Sequence, residues 1–362
     1  MLLSMKSDRE FVAEKDAQIL ELEKQTLLAL ERSISALRAA KQAPQKRLDA
    51  YKYPVLTLPN EIISEIFLHF LPPYPDPPPL VGRLSPFLLT CICDRWREIA
   101  IATPTLWRAI DLIPWRPRLE LAALTELYLK RARGCPLAIH STESHGSPSP
   151  LLSYRSSWEH VKLYHASNWY LMFAGPTPRL RSLHILQLPS ALDSFLVSFT
   201  LEHAPLLRIV DMPIIPHATR LPKLPWRQLT SLTLQTVRLH QLVSILKQSP
   251  DLIALRCYIH FQGGFVQSLN DIPCLRRLTS LSLDYAVKPQ DRDLLSFFTV
   301  PALETLEVPE SLLGYDPIES IKRFVAKSCC QITELRVKQA ELLASSYKKE
   351  IPSIPSIVCE RG

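Results

Sequence analysis

The sequence predicts an α/β chain: a long N-terminal helix, a three-helix module, and then strands alternating with helices so that the strands run parallel. Three observations predict it. One apolar template, L-x-x-L-x-L, recurs eight times between Trp158 and Val337. Residues 1–50 contain no Gly and a single Pro, Pro44. Between these regions, residues 58–107 hold two apolar runs at helical spacing, separated by a proline-dense stretch.

In the first segment Ala13, Leu20, Leu27 and Ile34 recur at seven, with Leu30 and Leu37 at the d position and Glu and Lys beside them, as in a coiled-coil seam. Glu23 occupies one d position, and the seam covers only about three heptads. A helix of this length is marginal alone and needs a partner. Residues 8–40 are therefore a candidate for self-association; the competing readings are a helix lying back on the next module or one projecting freely.

The second segment opens with Leu58-Pro59-x-Glu61-Ile62. Thr57 is a candidate N-cap, or Asn60 if the helix begins later, and Glu61 and Glu65 sit where the helix dipole favours negative charge. Ile62, Ile63, Ile66, Phe67 and Phe70 form one apolar stripe. A second run, Phe87 to Ile92, leads through Cys93 and Trp96 into Ile99 and Ile101, and Thr103-Pro104 stops that helix because the residue before a proline resists the α region.

This pattern resembles the F-box, a small three-helix module that docks to the Skp-type adaptor of cullin–RING ubiquitin ligases. Leu58, Pro59, Glu61, Ile62 and Ile66 carry the resemblance, with Ile92, Cys93 and Trp96 standing in place of the family's Val-Cys-x-x-Trp. The tail Thr103-Pro104-x-Leu106-Trp107, followed by Ile110-Asp111-Leu112, is similar to the F-box-like proteins abundant in mushroom-forming fungi. The resemblance implies that those first eight residues divide between the module's own core and an apolar contact with the adaptor. The departure is the insert Leu71–Gly82, whose Pro72-Pro73-Tyr74-Pro75 reads as a stiff surface loop and, less simply, as a polyproline ligand.

Residues 113–157 read as a linking helix, a short strand and a loop. Leu119–Arg131 is an amphipathic helix with Leu121, Leu124, Leu127 and Tyr128 on one side and Gly134 placed to cap it. Leu137–Ile139 is a strand, and Ser141–Pro150 is loop-like, with Ser147-Pro148 and Ser149-Pro150 as alternative phosphosites.

The eight templates begin at Trp158, Leu180, Leu207, Leu229, Leu252, Leu278, Leu303 and Ile332, at spacings of 22 to 29 residues. Ala191–His203, His240–Gln248, Asp291–Phe298 and Pro317–Lys327 between them are helix-like, with Asp316-Pro317 as an N-cap and N1 pair. Prolines 178, 205, 250 and 301 end such stretches and feed the next strand. Residues 158–340 resemble the leucine-rich repeat, which stacks parallel strands around a continuous apolar core. The usual turn Asn is missing, so an irregular solenoid is expected; residues 341–362 form a tail.

Alternation along the strands points a second set of side chains outward. That ribbon is Lys162, Tyr164, His184, Asp211, Thr233, Arg256, Tyr258, Asp284, Glu307 and Arg336. Its mixed charge and tyrosines suit recognition of a protein target and suit a phosphate backbone poorly.

Composition narrows the function. The chain carries 32 Pro against 8 Gly and lacks a phosphate-binding glycine loop. Its net charge of +7 is spread through the sequence, so nucleic acid is not the expected partner. No GxSxG, HExxH or kinase loop is present, and His140, His145, His160 and His165 lack the companions that would make a metal site. The eight Cys form no CxxC pair and read as reduced thiols, as expected in the cytoplasm and/or nucleus. No catalytic residue, cofactor, metal or membrane span is expected. The expected function is a substrate receptor of an SCF-type ligase, with an F-box at 54–112 on the adaptor and the repeats on a target. The alternative is a non-catalytic interaction scaffold with a degenerate box, favoured by the insert.

Overall fold

The structure of the chain, a computed structural model, describes residues 2–50, 54–112, 118–141, 149–164, 173, 175–186, 200–201, 203–214, 221–261, 272–285 and 293–361. It divides into two compact units, Met1–Ile63 and Ser64–Gly362.

In the first unit, helix α1 (Leu2–Ala50) runs through Pro44 without ending there. All of the side chains described along it, Arg9 and residues 11–48, are exposed. A 3-10 turn, Pro54–Thr57, follows. Helix α2 (Asn60–Phe70) begins after that turn, with Ile63 N donating to Pro59 O at 3.2 Å. Asn60 is therefore the first helical residue and Pro59 holds the cap position, in place of the expected Thr57 or Asn60.

The second unit holds α3 (Pro86–Leu89), a single turn whose N-cap, Ser85, accepts a 3.0 Å hydrogen bond from Phe87 N. Helix α4 (Asp94–Ala102) and a 3-10 turn, Pro104–Trp107, come next. Trp107 is fully buried and acts as a hub: its indole N–H donates to Ala100 O at 2.8 Å, and its ring meets Tyr128 edge-on at 5.1 Å and Phe87 at 5.8 Å. The Arg131 guanidinium lies 4.3 Å over the same ring.

An open sheet of eleven parallel strands follows, ordered as in the chain. The strands are β1 (Ala109–Leu112), β2 (Leu137–Ser141), β3 (Trp158–Leu163), β4 (Ser182–Ile185), β5 (Ile209–Pro213) and β6 (Ser231–Val237). They continue with β7 (Ala254–Ile259), β8 (Ser280–Tyr285), β9 (Thr305–Pro309), β10 (Glu334–Lys338) and β11 (Ser356–Cys359). Parallel neighbours need crossovers. Among the described residues these contain α5 (Arg118–Ala132), α6 (Ser149–Leu152), α7 (Leu239–Gln248), α8 (Pro317–Ser328) and α9 (Ala344–Glu350).

All eight expected templates map to β3 to β10, their second and third positions on the strand and, in all but the first, the opening residue two positions before it, and their apolar positions are buried. The middle position of each template is in register with the next. Ile110, Ile139, Val161, Leu183, Val210, Leu232, Leu255, Leu281, Leu306, Leu335 and Ile357 form one unbroken row. Burying a side chain of this size stabilises by about 1.5–3 kcal/mol, so the row is the spine of the core. Prolines 178, 205 and 301 occupy the second position of turns closed by Leu180 N to Thr177 O, Leu207 N to Ala204 O and Leu303 N to Val300 O. Their fixed φ suits that position.

The sheet is longer than the template count suggested. Ala109–Leu112 is its first strand and Ser356–Cys359 its last. Both carry the template, as Trp107-x-x-Ile110-x-Leu112 and Ile354-x-x-Ile357-x-Cys359. β2 does not, because Pro136 and Ser141 occupy two of its apolar positions.

Three local expectations change. Helix α5 buries Leu121, Thr125, Tyr128, Leu129 and Ala132, whereas Leu124 and Leu127 are only half-buried, so its inner face is rotated from the expected one. Ser141 belongs to β2 and Ser149–Leu152 to α6, so the expected loop is confined to 142–148, which with Ser147 lies outside the described residues. Residues 295–297 make a 3-10 turn where a helix was expected over 291–298. The helix expected over 191–203 lies mostly outside the described residues, and at its end Thr200 pairs with Lys223 in a parallel bridge. Asp316 caps α8 as expected, accepting from Glu319 N at 3.0 Å, with Pro317 in the first turn.

Candidate binding surfaces

The apolar stripe of α2 is split. Ile63 and Phe67 are 0% and 1% exposed, whereas Ile62 and Ile66 are 49% and 43% exposed. Among the other residues singled out in the module, Leu58 is half-buried and Pro59 and Glu61 are exposed. Ile92 is 53% exposed. Cys93 is the half-buried residue before α4, in extended backbone. Trp96 is also half-buried, its ring 4.9 Å from that of Phe67 and nearly edge-on, and its indole N–H has no acceptor among the described residues. Trp96 therefore completes a core through its ring, while Ile62, Ile66 and Ile92 leave branched aliphatic surface in water, each a residue that burial would stabilise.

The proline-rich insert is held down at both ends. Leu80, 8% exposed, receives hydrogen bonds on its carbonyl from Tyr128 Oη at 2.8 Å and Ser85 Oγ at 3.1 Å. Tyr74 donates to Glu159 Oε2 at 2.8 Å and lies 3.8 Å beneath the Arg108 guanidinium. Arg181 Nε grips the other Glu159 oxygen at 2.9 Å. Burial, then the hydrogen bond and charge of Glu159, push the Tyr74 phenol far above its usual range, so it stays a donor. The insert is thus tied to the sheet, and its tyrosine is already occupied.

The open face of the sheet is the second surface. One outward row runs in register through all strands: Asp111, His140, Lys162, His184, Asp211, Thr233, Arg256, Ser282, Glu307, Arg336 and Val358. It contains seven of the ten residues expected there. Tyr258 and Asp284 are register partners one step further along, and Tyr164 lies just past the end of β3 with Lys162 Nζ 5.2 Å over its ring. Sequence reasoning missed Ser282, which takes the row position between Arg256 and Glu307, and the extension through Asp111 and His140.

It also missed Lys338, the residue that organises the second half of the face. Lys338 Nζ contacts Glu307 Oε1 and lies 3.4 Å from Asp284 Oδ2, and Arg256 approaches Glu307 at 3.8 Å. Burial alone would raise the Glu307 carboxyl, but the hydrogen bond and charge of Lys338, with that of Arg256, hold it below the usual range. Towards β4, Asp211 accepts from Gln235 Nε2 at 2.9 Å and lies 3.7 Å from His184 Nδ1. The acids of this row are recessed, with Asp211 and Glu307 side chains 19% and 15% exposed, while the Arg256 and Arg336 side chains are 51% and 48% exposed. Arg256 and Arg336 thus stand exposed above these acids, with Arg336 Nε donating to Glu334 Oε1 at 2.7 Å.

His140, His160 and His184 cluster near Lys162. Burial and then the Lys162 charge push the His140 imidazole down to about 4. Burial likewise lowers His160, whose Nδ1 is 2.7 Å from Ser182 Oγ. His145 and His165 lie outside the described residues. No group of three or more His, Cys, Asp or Glu able to hold a metal is found among the described residues, and no helix there is long and apolar enough to cross a membrane.

No protein-family model matches the chain, and no curated protein matches it. The exposed aliphatics among the motif residues are Ile62 and Ile66 on α2 and Ile92 in the turn before α4, and the sheet carries a separate ladder of charged side chains.

Proposed function

We propose that the chain is a substrate-receptor subunit of an SCF-type cullin–RING ubiquitin ligase, with an F-box over 54–112 and a leucine-rich-repeat-like sheet behind it. The observation that carries the reading is the split of α2, whose Ile63 and Phe67 are buried while Ile62 and Ile66 remain in water. A helix that has filled its own core yet keeps two branched aliphatics exposed is built for an apolar partner. The motif residues Leu58, Pro59, Glu61, Ile62, Ile66, Ile92, Cys93 and Trp96 make the Skp-type adaptor the partner that fits. The feature that favoured a degenerate box, the insert, is packed in place by Tyr74 and Leu80.

The sheet's open face is the target side. Its exposed Arg256 and Arg336 above recessed carboxylates favour an acidic stretch of a target protein. The mechanism is proximity: the receptor holds a target lysine near the charged ubiquitin-conjugating enzyme and supplies no reacting group.

The test is co-purification of the intact chain with the Skp-type adaptor, against a Leu58→Ala, Pro59→Ala double mutant and an Ile62→Asp, Ile66→Asp double mutant. Stoichiometric binding lost in both variants supports the reading. A folded intact chain that does not retain adaptor overturns it.

A further inference from the structure

We infer that α1 is the docking surface for a second copy of this chain, and that the two helices pair antiparallel. The surface is large and bare: Leu20, Leu27, Leu30, Ile34 and Leu37 are 67%, 60%, 60%, 40% and 71% exposed on one continuous helix. Apolar residues at seven-residue spacing on an uncovered helix specify another helix as the occupant.

Charge identifies which helix and in which direction. Residues 11–25 hold four acidic and two basic residues, net −2, and residues 26–48 hold one acidic and five basic, net +4. Two copies laid head to tail bring these opposite halves together along their whole length, whereas two parallel copies set like against like. The seam positions repeat the argument at atomic scale. A parallel pair would face Asp16 with Asp16, Glu23 with Glu23 and Lys41 with Lys41 across the core. An antiparallel pair centred between Leu28 and Ala29 places Leu20 against Leu37 and Leu27 against Leu30 of the second copy. The same register puts Asp16 against Lys41 at both ends and Lys24 beside Glu31 on the flanks. The layer of Ile34 and Glu23, which the two-fold symmetry repeats, is the mismatched step. Pairing Asp16 to Lys41 engages 26 residues of each helix, roughly 39 Å at 1.5 Å per residue.

This inference concerns α1 alone and does not depend on the adaptor reading. Its test is sedimentation equilibrium of the full-length chain under reducing conditions, with far-UV circular dichroism to verify that each variant keeps its helix. The intact chain should be in monomer–dimer equilibrium, and Leu27→Lys with Leu30→Lys should leave only monomer. Asp16→Lys and Lys41→Glu should each weaken the dimer roughly tenfold, because two ion pairs become two repulsions. The Asp16→Lys, Lys41→Glu double variant should return to within about twofold of the intact chain, a rescue only the antiparallel arrangement allows. A chain that stays monomeric, a dimer indifferent to the Leu27 and Leu30 substitutions, or a double variant no stronger than the single ones would overturn the inference.

Discussion

The hydroxyl of Tyr74 donates a 2.8 Å hydrogen bond to Glu159 Oε2, joining the proline-rich insert to β3 across 85 positions of sequence. Glu159 is at the same time gripped by Arg181, the residue before β4, and Arg108 covers the tyrosine ring. A loop that the composition marks as a spacer is in this way a strap across the first strands of the sheet.

Removing only that hydroxyl tests the strap. Tyr74→Phe should lower unfolding stability by about 1.5–3 kcal/mol, since the lost bond is to a charged acceptor. Tyr74→Ala should cost more, because the Arg108 stacking goes with it. Urea denaturation followed by tryptophan fluorescence measures both; a Tyr74→Phe protein as stable as the parent would mean that water replaces the bond.

Trp107 carries more of the fold than Trp96. Trp107→Ala should destabilise by about 3–5 kcal/mol, as expected for a fully buried indole in an aromatic cluster. Trp96, half-buried and without an indole hydrogen bond among the described residues, should tolerate Phe at a cost below about 1.5 kcal/mol. Equal losses at the two positions would contradict this ranking.

Neighbours on α2 should separate folding from binding. Phe67→Ala should cost about 3–5 kcal/mol and Ile66→Ala under about 1 kcal/mol, following their 1% and 43% exposure. Ile66→Ala should instead weaken adaptor capture. If the thermal midpoints of the two variants shift alike, Ile66 is a core residue and not a docking one.

Acid should loosen the N-terminal half of the sheet. His140 has a folded-state pKa of about 4 against 6.5 in the unfolded chain, so the unfolded state binds its proton first. Stability from this site is complete above about pH 6.5, declines as the pH falls towards 4, and levels off below that. His140→Gln should flatten that part of a stability-versus-pH curve measured by chemical denaturation. An unchanged slope between those values would show that other groups set it.

Much of the sheet was legible in the sequence because its signal is local. A strand alternates its side chains by covalent geometry, so Leu183 and Ile185 inward imply His184 outward wherever the strand ends up. All eight templates became strands for this reason, and seven of the ten expected face residues fall in one register row. β2 was legible as the short strand Leu137–Ile139 but not as a repeat, because Pro136 and Ser141 break the template, and β11 was missed because the count stopped at Val337, although Ile354, Ile357 and Cys359 repeat it. The candidate binding surfaces were less legible. The apolar stripe of α2 contains two populations, and only burial separates Ile63 and Phe67 from Ile62 and Ile66.

By itself the sequence determined the long α1 with its heptad-spaced leucines, the apolar runs of the helical module and the strand-by-strand core, since these follow from periodicities written in neighbouring residues. Only the tertiary structure decided that Tyr74 meets Glu159, that Lys338 neutralises Glu307 from 31 positions away, and that Arg256 and Arg336 are left exposed. Those pairings depend on the strand register set by crossovers of unequal length. Because each crossover shifts where the next strand begins, contacts between distant residues become fixed only once the whole stack has formed.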